Sequence, residues 1–381
     1  MAEGVFWLSF LALSYTYIGY PLVLWVWSRS RPRQVRKDSS VLSVSVVIAA
    51  HNEAKNIAGR IENCLGVDYP SDRLEVIIVS DGSDDGTVDT VSRYVGRRVK
   101  VIILPDRAGK AVALSRGVAI AKGEVIVFTD ARQRFAPSAV AELVANFADP
   151  LVGAVSGELV LVEEQGRAPL HDAGLYWRYE KWIRKAESRI DSVIGATGAI
   201  YGIRKALFVP LPAGTILDDV MIPMRIALQG YRVVFEENAV AYDALSANIE
   251  QEFRRKVRTL AGNYQLFRLV PELWSPFQNR LLFLYLSHKV TRLLAPFGLL
   301  ALLAASVLLA SGPYAVTLWL QIVFYGLAWA GWHMRHLAWR IPLTSVPLTF
   351  VMLNCAAVLG LVQFLRGWCG GHGETDLWVK S

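Results

Sequence analysis

The chain alternates between long uncharged stretches and ordinary polar sequence, and the alternation divides it into parts. Residues 5–28 carry no charge, residues 293–332 carry none, and 341–365 form a third uncharged run. A membrane-crossing helix takes about 20 apolar residues, so 5–28 predicts one span. Ser311, Gly312 and Pro313 break 293–332 into two further spans, and 341–365 predicts a fourth. Residues 277–291 are apolar but interrupted by polar and basic side chains, which predicts a helix lying in the membrane interface. A cleavable signal peptide is disfavoured for the first run, because its basic residues follow the apolar stretch instead of preceding it.

Between the spans the period changes. SVSVVIAA (43–50), LEVIIVS (74–80), VKVIILP (99–105) and EVIVFT (124–129) are short, continuous and rich in β-branched residues, as parallel strands covered on both faces are. Helical composition fills 54–65, 86–95, 110–121 and 137–148. Repeated strand–helix units predict an α/β fold with a doubly wound, mostly parallel sheet. Ligands of such sheets bind beyond the carboxyl ends of the strands. The organisation expected is a transmembrane helix at 1–28, a cytosolic domain at 29–270, and an interfacial helix, about three spans and a short tail at 271–381.

Composition sharpens this picture. Hydrophobic residues make up 53% and charged residues 19% of 381, against about 25% charged in ordinary globular chains, and the mean hydropathy is +0.33. A soluble enzyme, a disordered chain and a disulfide mini-protein are excluded. Cys64, Cys355 and Cys369 form no CxxC pair, which indicates packing residues and neither a disulfide framework nor a zinc site. The net charge of +7 collects in two clusters. Arg29, Arg31, Arg33, Arg36 and Lys37 follow the first span with no acid among them, which places the central region in the cytosol; Arg280, Lys289, Arg292, Arg335 and Arg340 agree. Arg254, Arg255, Lys256 and Arg258 form the second cluster. This distribution gives no indication of nucleic-acid binding.

Candidate chemistry sits at three strand ends: His51, Asn52 and Glu53 after the first strand, Asp81 in SDGSDDGT after the second, and Asp130 in FTDAR after the fourth. Each acid alone is readable as a helix cap or turn former, the reading that fits Asp84 and Asp85. Together they suggest a rim that grips a polyhydroxyl ligand or a metal. A P-loop is absent, since Ala111 stands after Gly109 and Lys110 where a hydroxyl is required, and no GxGxxG follows a strand. Lys110 by itself is more often a surface residue at a helix start. Further on, GATGAIYG (195–202) offers a loop of little bulk, and Asp218 and Asp219 precede a helical stretch. The two acids read either as a capping pair or as one cap and one general base. Arg255 and Arg258 share a helix face, facing either anionic lipid or a leaving diphosphate, which arginine's fork suits.

In order and spacing, VVIAAHNE, SDGSDDGT, GKAVAL, FTDA, GATGAIYG, LDD and the basic motif resemble the membrane-integrated branch of glycosyltransferase family 2, the group of cellulose, hyaluronan and poly-N-acetylglucosamine synthases. The resemblance covers about 43–262. It implies a GT-A fold and a UDP-sugar donor held by Glu53, Asp81 and Lys110. It implies that Asp130 binds the diphosphate through Mg²⁺ or Mn²⁺, that Asp219 is the general base, and that Gly195, Thr197, Gly198 and Asp218 border a glycan or lipid-linked acceptor. Arg255 and Arg258 fall on the family's Q-(Q/R)-x-R-W motif. The implied reaction inverts an α-linked donor to a β-linked product, with processive polysaccharide synthesis at a bacterial inner membrane as the leading expectation and single-sugar transfer to a lipid acceptor as the alternative. From another class, a transporter or sensor that only binds nucleotide-sugars would place ionisable or broken-helix features in its spans; Asn354 and a few prolines are all these spans offer. Three positions depart from the pattern: Arg132 replaces the second acid of the DxD motif and suggests a guanidinium contact to the diphosphate, Arg255 replaces a glutamine, and Thr259 replaces a tryptophan that seats the growing chain.

Overall fold

The computed structural model describes residues 1–39, 41–96, 98–162, 171–244, 249–334 and 342–369, with the side chains of 171–176, 249, 342, 368 and 369 left aside. The chain begins with α1 (Ala2–Ser14), continues through a π-turn into α2 (Tyr20–Ser30), and enters the sheet at β1 (Val44–Ala50). There follow α3 (Ile57–Leu65), β2 (Leu74–Asp81), α4 (Thr87–Ser92), β3 (Val99–Leu104), α5 (Lys110–Ile120), β4 (Val125–Thr129), β5 (Arg134–Phe135) and α6 (Ala139–Ala145). The second half comprises β6 (Val152–Val162), α7 (His171–Ile190), β7 (Tyr201–Arg204), α8 (Asp218–Leu228), β8 (Arg232–Ala244) and α9 (Ile249–Leu269). The chain then turns through α10 (Leu282–Tyr285) into α11 (Thr291–Leu309), α12 (Gly312–His333) and α13 (Pro342–Cys369).

The eight strands form one sheet in the order β3-β2-β1-β4-β7-β6-β8-β5. The four strands expected from sequence are parallel neighbours, with Ile48 opposite both Ile78 and Thr129. Beyond β4 the sheet is mixed: β7 runs antiparallel to β4 and β6, and β5 antiparallel to β8, while β6 and β8 are parallel. Four of the seven described strand pairings are parallel, as expected, and the antiparallel ones all involve strands beyond β4. Successive side chains of a strand point to opposite faces, and the core divides accordingly. Val47, Ile77, Val79, Ile126 and Phe128 pack with Ala113, Leu114 and Val118 of α5 on one face. Val46, Ile48, Val76, Ile78 and Val127 pack with Ile57 and Ile61 of α3 and Leu143 of α6 on the other.

Among the described residues four helices are long and apolar enough to cross a membrane: Ala2–Ser30, Leu282–Leu309, Gly312–His333 and Leu343–Gly367. Residues 282–290, read from sequence as part of a separate interfacial helix, run without a break into α11. The reason is local. His288 is buried, with Nδ1 2.6 Å from Glu187 Oε1 on α7, and Tyr20 of α2 donates to that same oxygen at 2.5 Å. Polar residues that looked interfacial are thus satisfied against α7 and the first span. Cys64 is a buried packing residue as expected, whereas Cys355 lies exposed on α13. Arg335, Arg340 and the tail beyond 369 lie outside the described residues.

The approach of α5 to the sheet depends on Gly117, where an added Cβ would stand 2.5 Å from Val47 Cγ1 and 3.2 Å from Val79 Cγ2. Glycine in a helix is ordinarily replaced by alanine with a gain of about 1 kcal/mol. Here overpacking reverses the sign: Gly117→Ala is expected to destabilise by about 1–3 kcal/mol, read as a lowered Tm of the detergent-solubilised chain. A raised Tm would contradict the packing described.

Candidate active site

The carboxyl ends of β1, β2 and β4 meet at one rim, and backbone donors shape it. Asn52 has φ of +53°, a conformation that asparagine tolerates better than most residues, and its side chain is bonded both ways to Asp84. It donates from Nδ2 to Asp84 Oδ1 at 2.7 Å and accepts from the Asp84 N–H at 3.0 Å. Asp85 accepts from the Ala54 and Thr87 N–H groups, the turn-forming role its sequence context indicated. Asp81 neither caps α4 nor shapes its own turn. Buried at 3% exposure, it accepts from the Ala108 N–H at 2.7 Å and the Gly109 N–H at 2.9 Å, which fixes the loop entering α5. Glu53 lies on the same rim and accepts from Asn56 Nδ2 at 2.8 Å.

That loop delivers Lys110 to the centre of the rim, which corrects the surface reading of this residue. Its ammonium lies 2.9 Å from Asp130 Oδ1 and 3.0 Å from Asp218 Oδ1. Burial alone would lower the pKa of Lys110, but Asp130, Asp218 and Asp219 raise it above its ordinary value, so it stays charged. Burial pushes Asp130 up, and Lys110, Arg132 and Arg258 together bring it below the usual carboxylate range. Asp219 behaves in the opposite way. Burial, Asp218 and Asp130 push it up to about 6 against the opposing pull of Lys110. Neighbouring carboxylates are thereby separated into one held ionised and one that titrates near neutrality, the arrangement of a site with distinct electrostatic and proton-accepting roles.

Asp218 and Asp219 begin α8 and diverge. Asp218 accepts from the Tyr201 hydroxyl at 3.2 Å, while Asp219 Oδ2 accepts from the Gly198 N–H at 3.0 Å and its carbonyl accepts from the Ala196 N–H at 2.7 Å. The 195–200 loop therefore wraps the base candidate closely. A Cβ on Gly198 would sit 3.2 Å from Asp219 Oδ2, and Gly195 has φ of +105°. The Thr197 N–H donates to Ser156 Oγ at 3.1 Å, anchoring the loop to β6.

Arg132 does not point freely into the rim. Its Nε donates to Asp243 Oδ2 at 2.9 Å, and Gln133 Nε2 shares that oxygen at 2.9 Å. Asp130 and Asp243 hold the Arg132 pKa above its usual value despite burial. On α9 the two motif arginines differ: Arg258 contributes to lowering Asp130, whereas Arg255 Nη1 stands 4.0 Å from Glu252 Oε2 of its own helix. Tyr201 and Asp243 were not singled out from sequence. Tyr201 lies within the GATGAIYG stretch, 17 residues before its partner Asp218, whereas Asp243 lies in β8, 111 residues from Arg132, with no local pattern to mark it. Among the described residues no group of three or more His, Cys, Asp or Glu side chains is arranged to hold a metal.

Residues 45–208 match the family model for glycosyl transferase family 2, and the chain carries a domain of that family and is an enzyme of that class. It is similar to a probable glycosyltransferase, YdaM, of Bacillus subtilis, with 25% identity over 314 residues, 78% of this chain and 75% of that protein. It is also similar to poly-beta-1,6-N-acetyl-D-glucosamine synthase of Staphylococcus aureus, with 22% identity over 248 residues, 64% of this chain and 59% of the synthase; it thus spans about three fifths of that relative's length. Among solved structures it shares the fold of the mannosyltransferase PcManGT from Pyrobaculum calidifontis, in complex with GDP-Man and Mn2+, with a TM-score of 0.72, 24% identity and coverage of 96% of this chain and 99% of that one.

The raised Asp219 has a consequence for stability. A carboxyl whose pKa is higher folded than unfolded favours folding while protonated and loses that contribution as pH rises through its folded value, here about 6. Between about pH 4 and pH 6, the Tm of Asp219→Asn is therefore expected to gain on that of the wild-type chain. Parallel pH profiles for the two proteins would contradict the shift.

Proposed function

We propose that the chain is a membrane-bound inverting glycosyltransferase that takes a UDP-sugar and forms β-glycosidic bonds, with polysaccharide extension as its principal activity. The observation that carries the proposal is the partition of the rim acids, with Asp130 held ionised beside Lys110 and Asp219 raised to about 6. In this reading the donor diphosphate lies at Asp130, with Arg258 on the outer side. Glu53 and the loop held by Asp81 border the nucleoside. Arg132 acts from its station on Asp243 through its charge. The acceptor lies between Asp219 and the Gly195, Thr197 and Gly198 loop, beside Asp218.

The acceptor hydroxyl oxygen attacks the anomeric carbon as the bond to the diphosphate oxygen breaks. The electron pair leaves with UDP, and Asp219 takes the hydroxyl proton. One base suffices because the leaving diphosphate needs no protonation, unlike the alcohol released in glycoside hydrolysis. A divalent ion fits on chemical grounds. Mg²⁺ is commonly held by one or two carboxylates together with substrate phosphates and water, and Asp130, engaged by Lys110 through Oδ1, has Oδ2 for it. Such an ion, Mg²⁺ or Mn²⁺, would neutralise charge developing on the leaving diphosphate. The basic cluster after the first span supports a cytosolic catalytic domain at a bacterial inner membrane.

Single-sugar transfer to a lipid or lipid-linked acceptor is the second reading. It is favoured by Thr259, whose hydroxyl donates to the Arg255 carbonyl on its own helix at 2.9 Å and which offers no ring for a sugar to stack on.

Asp219→Asn is expected to keep UDP binding while losing turnover by about 10²- to 10⁴-fold, and wild-type kcat/KM should fall as pH drops through about 6; wild-type turnover by the Asn variant would remove Asp219 from the mechanism. Activity should be lost in EDTA and return with Mg²⁺ or Mn²⁺, while Asp130→Ala should not be rescued by either. Full activity in EDTA would leave the cations alone to serve the diphosphate. Incubating the purified chain with UDP-glucose, UDP-N-acetylglucosamine, UDP-galactose or UDP-glucuronate, with GDP-mannose as a contrast, should release UDP and yield products of many sugars. One-sugar products would establish the second reading instead.

A further inference from the structure

Arg60 of α3 is among the largest fully buried side chains, at 1% exposure. Its guanidinium is held on several sides. Nη1 donates to Asn63 Oδ1 at 2.6 Å, Cζ lies 3.9 Å over the Phe135 ring, and Nη2 donates to Thr129 Oγ1 at 2.8 Å. Asn63 is itself fixed, accepting from the Phe135 N–H at 2.7 Å and donating to its carbonyl at 3.0 Å. The cation therefore has little freedom to move.

Its surroundings lack what a buried cation ordinarily requires. Among the described residues no carboxylate comes within ion-pair distance of Arg60, and its buried Nε has no hydrogen-bond partner. An ion buried without a counter-ion is costly, and an apolar side chain of similar volume would fill the space at less cost. What distinguishes the position is what it touches. Thr129 is the last residue of β4 and directly precedes Asp130. The Thr129 hydroxyl accepts from Arg60 and donates to the Ala199 carbonyl at 2.7 Å, in the loop that wraps Asp219. A single buried charge thus stands behind the Asp130 end of the rim and is bonded, through one hydroxyl, to the Asp219 side.

We propose that Arg60 is a positioning residue for glycosyl transfer: its fixed positive charge beneath Asp130 favours the donor diphosphate, and its bond through Thr129 to Ala199 fixes the acceptor loop relative to the donor. The inference rests on the reading of the rim as a nucleoside-diphosphate-sugar site. It places a cation in the protein interior behind a rim whose second motif acid is already replaced by Arg132. It also links, by two hydrogen bonds, elements far apart in the chain that must hold donor and base in register.

The test uses the full chain in detergent, with three variants: Arg60→Met, which removes charge and fork; Arg60→Lys, which keeps the charge; and Thr129→Val, which breaks the relay and keeps the charge. Each is read by Tm, by UDP affinity, and by separate kcat and donor KM. Arg60→Met is expected to weaken UDP affinity and raise donor KM by about 10- to 100-fold, the range seen when the residues that orient metal ligands are removed. Arg60→Lys should keep wild-type UDP affinity, and Thr129→Val should keep it while lowering kcat. A folded Arg60→Met with wild-type affinity and KM overturns the inference. Should Arg60→Met not fold, Arg60→Lys decides, because UDP affinity lost in a variant that retains the charge also overturns it. A wild-type chain that binds no UDP overturns the donor reading and this inference with it, whereas wild-type binding matched by Arg60→Met overturns the inference alone.

Discussion

The Lys110 ammonium holds together what would otherwise repel. Asp130 and Asp218 both lie within 3.0 Å of it, and Asp219 adjoins them, so the rim gathers three acids around one cation. Without that charge, burial would drive Asp130 and Asp219 toward their neutral forms. Lys110 reaches the rim because its backbone is delivered there: Asp81 captures the two preceding N–H groups, and Gly109 adopts φ of +91°. The short strands, the tight approach of α5 at Gly117 and the loop into Lys110 are thus parts of one device. Its product is a pair of carboxylates with different proton affinities a short distance apart.

The same economy joins the membrane helices to the enzyme. Tyr20 of the first span and His288 of the second both engage Glu187 of α7, and Arg292 bonds Glu180 of the same helix. Beside the start of β8, Arg33 and Arg280 converge on Asp191. The basic residues flanking the spans therefore serve packing as well as any electrostatic preference for one side of a membrane. Because these contacts hold α7 from two spans, and α7 leads into the loop that wraps Asp219, the apolar helices and the Asp219 side of the rim are mechanically continuous.

Much of this was legible in the chain because its signals are local. Continuous β-branched runs mark β1 to β4, and uncharged stretches mark the spans. The acids at strand ends were legible as members of one rim, since parallel topology alone dictates that those ends converge. What escaped notice depends on distant partners. Lys110, which only the family resemblance brought to the site, looked by itself like a surface residue because its counter-charges lie at the end of β4 and the start of α8. The mixed half of the sheet was hidden because β6 contains Gly153 and Gly157, β7 has four residues and β8 is interrupted by Glu236 and Glu237, so none shows a clean strand period. The continuity of 282–290 with α11 was hidden for a related reason: composition shows that His288 is polar, but not that Glu187 waits opposite it.

The central claim is that Lys110 sets the proton affinities of the rim. Infrared titration of the protonated carboxyl stretch, assigned to Asp219 by its loss in Asp219→Asn, tests it without requiring turnover. In the wild-type chain the band should titrate near pH 6. In Lys110→Met, with the opposing cation removed, it should persist to higher pH. A band that titrates at the same pH in both proteins would contradict the account.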